Sequence, residues 1–150
     1  MITQKNGYGC GLYAVANALD LKDYVNTERL DESKKGVTNF ELSTYLQEDG
    51  LNLYIDVLYC DTFKSALPKD WTELKLSGDN NCMPILIQCV VNEKYHLMGA
   101  KLFQDGKIEL MDSLKDGKLK CTLSDVNTMY EKVVGLYSFN HLKNADYVIL

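Results

Sequence analysis

The sequence predicts an α+β domain, and three observations carry that prediction. Long helical periodicity is confined to the first fifty residues, strand-like alternation replaces it after Gly50, and short turn sequences then fold the second half into an antiparallel meander.

From Cys10 the apolar positions Leu12, Val15, Ala16 and Leu19 recur with the spacing of a helix laid on a core, so Cys10 opens a helix. Thr38 and Glu41 have the spacing of a capping box; they start a second helix that contains Phe40 and Leu46 and that Gly50 is placed to end. Residues 20–36, between the two, are polar and charged and read as a surface connection with a short helix at most. Leu53, Ile55, Val57 and Tyr59 then alternate with Asn52, Tyr54, Asp56 and Leu58, the period of a strand covered mainly on one face. Asp61-Thr62 reads as a helix cap, and residues 68–82, with the one tryptophan Trp71, as a turn-rich surface excursion.

Pro84 leads the apolar run 85–91, a central strand with proline at its first position. Two further strands, 95–103 and 107–113, are joined at Gln104-Asp105-Gly106, and Asp116-Gly117 begins a turn before another strand over 119–123. Ser124 and Asp125 are placed to cap a short helix, and 133–139 with 147–150 are the expected closing strands.

A chain of 150 residues fits a single domain, 1–150, and 46% hydrophobic with 25% charged residues is an ordinary globular balance. The net charge of −5 is spread along the chain without a Lys/Arg block, which excludes a nucleic-acid interface as the expected role. No apolar run approaches the roughly 20 residues of a membrane span, and the first residues lack a secretory signal pattern. Five cysteines without a CxxC pair fit a reduced, cytoplasmic setting. The two histidines do not stand near a cysteine at ligand spacing, so no metal or other cofactor is expected.

A thiol attacks as thiolate, and a helix N-terminus stabilises that anion with unpaired N–H groups and the positive end of the dipole. Cys10 has such a place, between Gly9 and Gly11, which leave room for a substrate backbone and let the Cys10 N–H point at a developing oxyanion. Gln4 is a candidate for the second donor. Taken alone, Cys10 is a small residue at a tight turn; taken with Gln4, His96 and Asp112 it is a nucleophile. His96 is the candidate base, although it shares a strand face with the apolar Met98, Ala100 and Leu102.

Register decides whether Asp112 can orient that base. A two-residue turn at Asp105-Gly106 puts Asp112 opposite Gly99 and away from His96. A three-residue loop with Gly106 left-handed pairs Phe103 with Lys107 and sets Asp112 opposite Met98, on the face of His96. His141 leads out of a strand into a polar loop and is expected to be exposed.

Gln4-x5-Cys10-Gly11, the small Ala14 and Ala16 in the following helix, the strand introduced by Pro84, then His96 and Asp112 together resemble the papain-like cysteine peptidase superfamily. The similarity spans nearly the whole chain and is greatest to the compact branch of bacteriocin-leader-processing, double-glycine peptidases. It implies a helical half bearing Cys10 packed on an antiparallel sheet bearing His96 and Asp112, with the site in the cleft between them. It also implies the roles: Cys10 nucleophile, His96 general base and acid, Asp112 orienting group, Gln4 oxyanion donor. Members of that branch usually have Asp before the nucleophile and Pro after the orienting Asp; this chain has Gly9 and Ser113. Without the transporter segments to which leader peptidases are often fused, leader processing is not expected of it.

The expected function is that of a small cytoplasmic thiol hydrolase acting on a peptide or protein substrate through an acyl-thioester on Cys10. Gln4 follows Met1 so closely that no N-terminal inhibitory segment is expected, and hence an enzyme made active and narrow in substrate. An acyltransferase or cross-linking enzyme would use the same thioester with an amine or thiol acceptor. A binding module that sequesters a protein partner would keep the fold without the chemistry, and the intact set Gln4, Cys10, His96 and Asp112 speaks against it.

Overall fold

The structure is a computed structural model that describes residues 1–5, 7–60 and 82–142. The expected cap at Asp61-Thr62, the excursion around Trp71 and the strand over 147–150 lie outside the described residues. Four α-helices, α1 (Cys10–Leu19), α2 (Thr27–Glu32), α3 (Asn39–Glu48) and α4 (Leu123–Met129), accompany six strands in the described residues. The strands are β1 (Leu53–Cys60), β2 (Cys82–Val91), β3 (Lys94–Phe103), β4 (Ile108–Met111), β5 (Leu119–Cys121) and β6 (Lys132–His141). They form one antiparallel sheet in the order β1-β6-β2-β3-β4-β5, so the α+β class holds and the second half is a meander from β2 to β5.

Both faces of the sheet are covered. Ile55, Leu86, Leu97 and Tyr137 lie under α1 and α3, while Ile85, Ile87, Met98, Ala100, Leu102 and Leu136 lie under α4. Helix α1 is buried nearly all round, from Gly11 through Ala18, which its run of alanines permits by letting neighbouring backbone come close. The closest approach is at Gly99 on β3, where an added Cβ would collide with the Ala14 carbonyl oxygen and stand 3.0 Å from the Ala18 nitrogen. Helix α3 starts as its capping box dictates: the Thr38 hydroxyl accepts from the Glu41 N–H at 3.1 Å and the Glu41 carboxylate accepts from the Thr38 N–H at 3.2 Å. Gly50, with φ 85°, follows its end; Leu46 is buried and Phe40 points to solvent.

Several elements differ from the sequence expectation. Residues 20–36 form the expected, mostly exposed connection with one short helix, α2, and a 3-10 turn at each side, but they are also anchored to the core through the buried Tyr24 and Arg29. The Arg29 guanidinium forks onto Asp49 at 2.9 and 2.7 Å and faces the Tyr24 and Tyr45 rings, which together make burial of the charge tolerable. In β1 the register shifts between Val57 and Tyr59, a bulge at Leu58. The extra residue moves Tyr59 to the α4 face while Ile55 stays on the α1 face, so Val57 is exposed instead of sharing one covered face with both. Strand β2 begins at Cys82, two residues before Pro84. Pro84 precedes the first β2–β6 pair, Ile85 with Ser138, so its missing N–H costs no ladder bond there. Strand β5 stops at Cys121, and α4 is capped by Thr122, not Ser124: the Thr122 hydroxyl accepts from the Asp125 N–H at 3.2 Å and the Asp125 carboxylate from the Thr122 N–H at 2.9 Å.

Among the described residues no helix is long and apolar enough to cross a membrane. All five cysteines are free thiols. Replacing Gly99 by Ala should destabilise the domain by about 2–3 kcal/mol, because the colliding group is helix backbone and cannot turn aside as a side chain would. Chemical unfolding of Gly99→Ala measures this; an unchanged midpoint would mean that α1 does not rest on β3 at this distance.

Candidate active site

The turn after β3 takes the three-residue form. The Phe103 N–H bonds the Lys107 carbonyl at 2.9 Å, the Gly106 N–H bonds the Phe103 carbonyl at 3.0 Å, and Gly106 is left-handed with φ 83°. The ladder then runs from Leu102–Ile108 to Gly99–Met111, and one further step sets Asp112 opposite Met98. His96 and Asp112 thereby share a face on a diagonal, and the His96 Nε2 to Asp112 Oδ1 distance is 2.7 Å. Both side chains are buried.

Strand β4 ends at Met111, so β3 has no β4 neighbour beyond Gly99. Backbone groups alternate sides along a strand; Phe103 turns its N–H toward β4, and so, four and six residues back, do Gly99 and Leu97. At Leu97 the strand that would have received the bond is gone, and the Leu97 N–H goes instead to the sulfur of Cys10. Helix α1 lies on one face of the sheet and His96 on the other, and they meet around this open edge. Gly9, with φ 87°, makes the turn that feeds Cys10 into the helix, and a Cβ there would stand 2.8 Å from Leu30. This left-handed backbone and the nearness of Leu30 favour a glycine before Cys10.

Burial alone would push the Cys10 thiol up, as it does for Cys89 and Cys121, which reach about 12 and about 11. Cys10 is instead lowered, because hydrogen bonds from the His96 ring and from the Leu97 and Gly11 N–H groups outweigh its burial. For His96, burial works downward, and the hydrogen bonds to Asp112 and Cys10 more than reverse it, raising the ring to about 9. With Nε2 engaged by Asp112, Nδ1 is the nitrogen left for Cys10. Asp112 is lowered to about 2: burial opposes this, but its oxygens accept from His96, from the Tyr130 hydroxyl at 2.7 Å and from the Leu114 N–H at 3.0 Å. The site thus favours a thiolate–imidazolium pair with a carboxylate behind it.

Gln4 joins the same assembly. Its backbone N–H bonds the Ser113 carbonyl at 2.6 Å, its Oε1 accepts from the Ser113 hydroxyl at 2.9 Å, and its Nε2 donates to the Tyr8 carbonyl at 3.0 Å. The amide therefore spans residues adjoining Asp112 and the Gly9–Cys10 turn. A cleft of about 350 Å³ opens beside Cys10, walled by Gly9, Gly11, Gly36, Gln88, Tyr95 and Leu97 among others. Cys10, His96 and Asp112 are joined directly, and Gln4 is linked to them through Ser113 and Tyr8. His141 is exposed at the end of β6, opposite Leu53. Tyr130, which sequence reasoning leaves among ten scattered tyrosines, is the partner it misses. Among the described residues no group of three or more His, Cys, Asp or Glu side chains is gathered to hold a metal ion. No protein-family model matches the chain, and no curated protein does.

Two outcomes follow from these protonation states. Iodoacetamide should alkylate Cys10 at pH 7 faster than Cys60 or Cys82, with a rate that falls only as pH drops through the lowered thiol value. His96→Ala leaves burial opposed by fewer hydrogen bonds and should move that profile upward; equal rates for Cys10 and Cys60 would contradict the pairing. Tyr130→Phe strips a donor from a buried carboxylate and should cost about 1–3 kcal/mol at pH 7. Because the Asp112 value is lowered, this contribution is present above pH 3.8 and lost as pH falls toward about 2, which unfolding measured across that range checks.

Proposed function

We propose that the protein is a papain-like thiol hydrolase that cleaves a peptide or related amide bond through an acyl-thioester on Cys10. The observation that carries this is the hydrogen-bonded chain from the Cys10 thiol through His96 to Asp112, with Cys10 lowered while Cys89 and Cys121 are raised. A helical layer bearing the thiol against an antiparallel sheet bearing the histidine and aspartate is also the arrangement that the sequence resemblance implies. Free thiols throughout suit a reducing cytoplasm.

In this reading the Cys10 thiolate adds to the substrate carbonyl carbon, and the carbonyl oxygen takes the negative charge. The Cys10 N–H and the Gln4 amide are the donors for that oxyanion. The His96 imidazolium gives its proton to the departing amine as the C–N bond breaks, leaving a thioester and a neutral ring. Water then attacks the thioester; His96 accepts its proton, the C–S bond breaks, and the acid leaves as the thiolate and imidazolium are restored. Asp112 keeps the ring oriented and stabilises its charged form, and Tyr130 holds Asp112.

Turnover of a fluorogenic peptide-amide library tests the proposal. Cys10→Ala should lose activity by on the order of 10⁴-fold or more while staying folded. Since the His96 value is raised to about 9, the proton needed by the leaving amine is present below that pH, and turnover should fall as pH rises through it. Cys10→Ala retaining turnover would end the hydrolase reading, and transfer to an added amine in preference to release of the acid would make the enzyme an acyltransferase.

A further inference from the structure

Asn17 is a polar side chain only 2% exposed, on the same helix as Cys10 and about two turns further along. Its amide takes up both backbone groups of one residue: Oδ1 accepts from the Ile2 N–H at 2.6 Å and Nδ2 donates to the Ile2 carbonyl at 3.0 Å. That is the pairing a neighbouring strand would offer, made here by one side chain, and it fastens the segment before Gln4 onto α1. Two residues on, Gln4 is fastened to the sheet side by its backbone and side-chain bonds to Ser113. An extended residue advances about 3.3 Å, so a pin on Ile2 leaves Gln4 about 7 Å of chain in which to move.

We propose that Asn17 is a positioning residue for the oxyanion arm: by pinning Ile2 it fixes the Gln4 amide relative to Cys10, without acting on the thiolate. The inference rests on the thiol-hydrolase reading. It separates two properties of one cysteine. Formation of the thiolate belongs to His96, Leu97 and the helix terminus, and the Gln4 share of oxyanion stabilisation belongs to the strap that Asn17 holds.

Two reactions of Cys10 in the full chain tell these apart. With iodoacetamide the thiolate displaces iodide, a C–S bond forming as C–I breaks, and no oxyanion arises. With p-nitrophenyl acetate the thiolate adds to the carbonyl carbon and the carbonyl oxygen becomes an oxyanion. The ester C–O bond then breaks, p-nitrophenolate leaves with the electron pair, and an acetyl thioester remains. Asn17→Ala should leave alkylation unchanged and slow Cys10-dependent acetylation by about tenfold or more, in the direction of losing an oxyanion donor. Gln4→Ala should show the same selective loss, and Asn17→Ala combined with Gln4→Ala should be no slower than Gln4→Ala alone. Ile2→Pro removes the Ile2 N–H while leaving α1 intact, and should reproduce the selective loss if Asn17→Ala does not fold. Unchanged acetylation, a parallel fall of both reactions in Ile2→Pro, or a double variant slower than Gln4→Ala would each overturn the inference alone. An unaltered chain that acetylates no faster than Cys10→Ala would overturn the hydrolase reading, and the inference with it.

Discussion

Helix α1 can set its first residue against the backbone of β3 because Gly99 offers no side chain at the point where the Ala14 and Ala18 backbone comes down on the strand. Everything in the site is measured from that contact. It brings Cys10 to the one stretch of β3 that β4 has left unpaired, where the Leu97 N–H turns to the sulfur and His96 lies on the neighbouring position of the same strand. A bulkier residue at position 99 would lift the helix, and the thiol would lose the strand N–H and the ring together.

Against this fixed edge, a single loop sets the electrostatics. The left-handed Gly106 adds one residue to the β3–β4 turn and so turns Asp112 onto the face of His96. Asp112 is buried and lowered, which is affordable only because His96, Tyr130 and the Leu114 N–H all donate to it. The adjoining Ser113 reaches the other way, to Gln4. One dipeptide after β4 thus serves both His96 and the Gln4 amide that reaches the cysteine turn.

Much of this is legible in the residues because it is local chemistry. The capping box at Thr38 and Glu41, the helix opening at Cys10 and the Gln104-Asp105-Gly106 turn each depend on neighbours a few positions away. Thr122 and Asp125 have the same form and are equally readable, although Ser124 competes for the cap. What escapes is set by distant partners. Arg29 and Tyr24 are buried only because Asp49 and Tyr45 come from α3, the bulge at Leu58 is defined by its pairing with β6, and Tyr130 meets Asp112 only once α4 has returned the chain. The two departures from the resembled family also become physical: Gly9 follows from a positive φ, and Ser113 is the group that bonds Gln4.

The central claim is that His96, held between Asp112 and Cys10, is an imidazolium at neutral pH and lowers the Cys10 thiol. Nitrogen-15 NMR of the histidine rings across pH 5–10 tests it directly, since the chain has only two histidines to assign. The account predicts that His96 keeps both ring nitrogens protonated at pH 7.5 and titrates near about 9, and that Asp112→Asn lowers that value. A His96 ring that is neutral at pH 7 would contradict it.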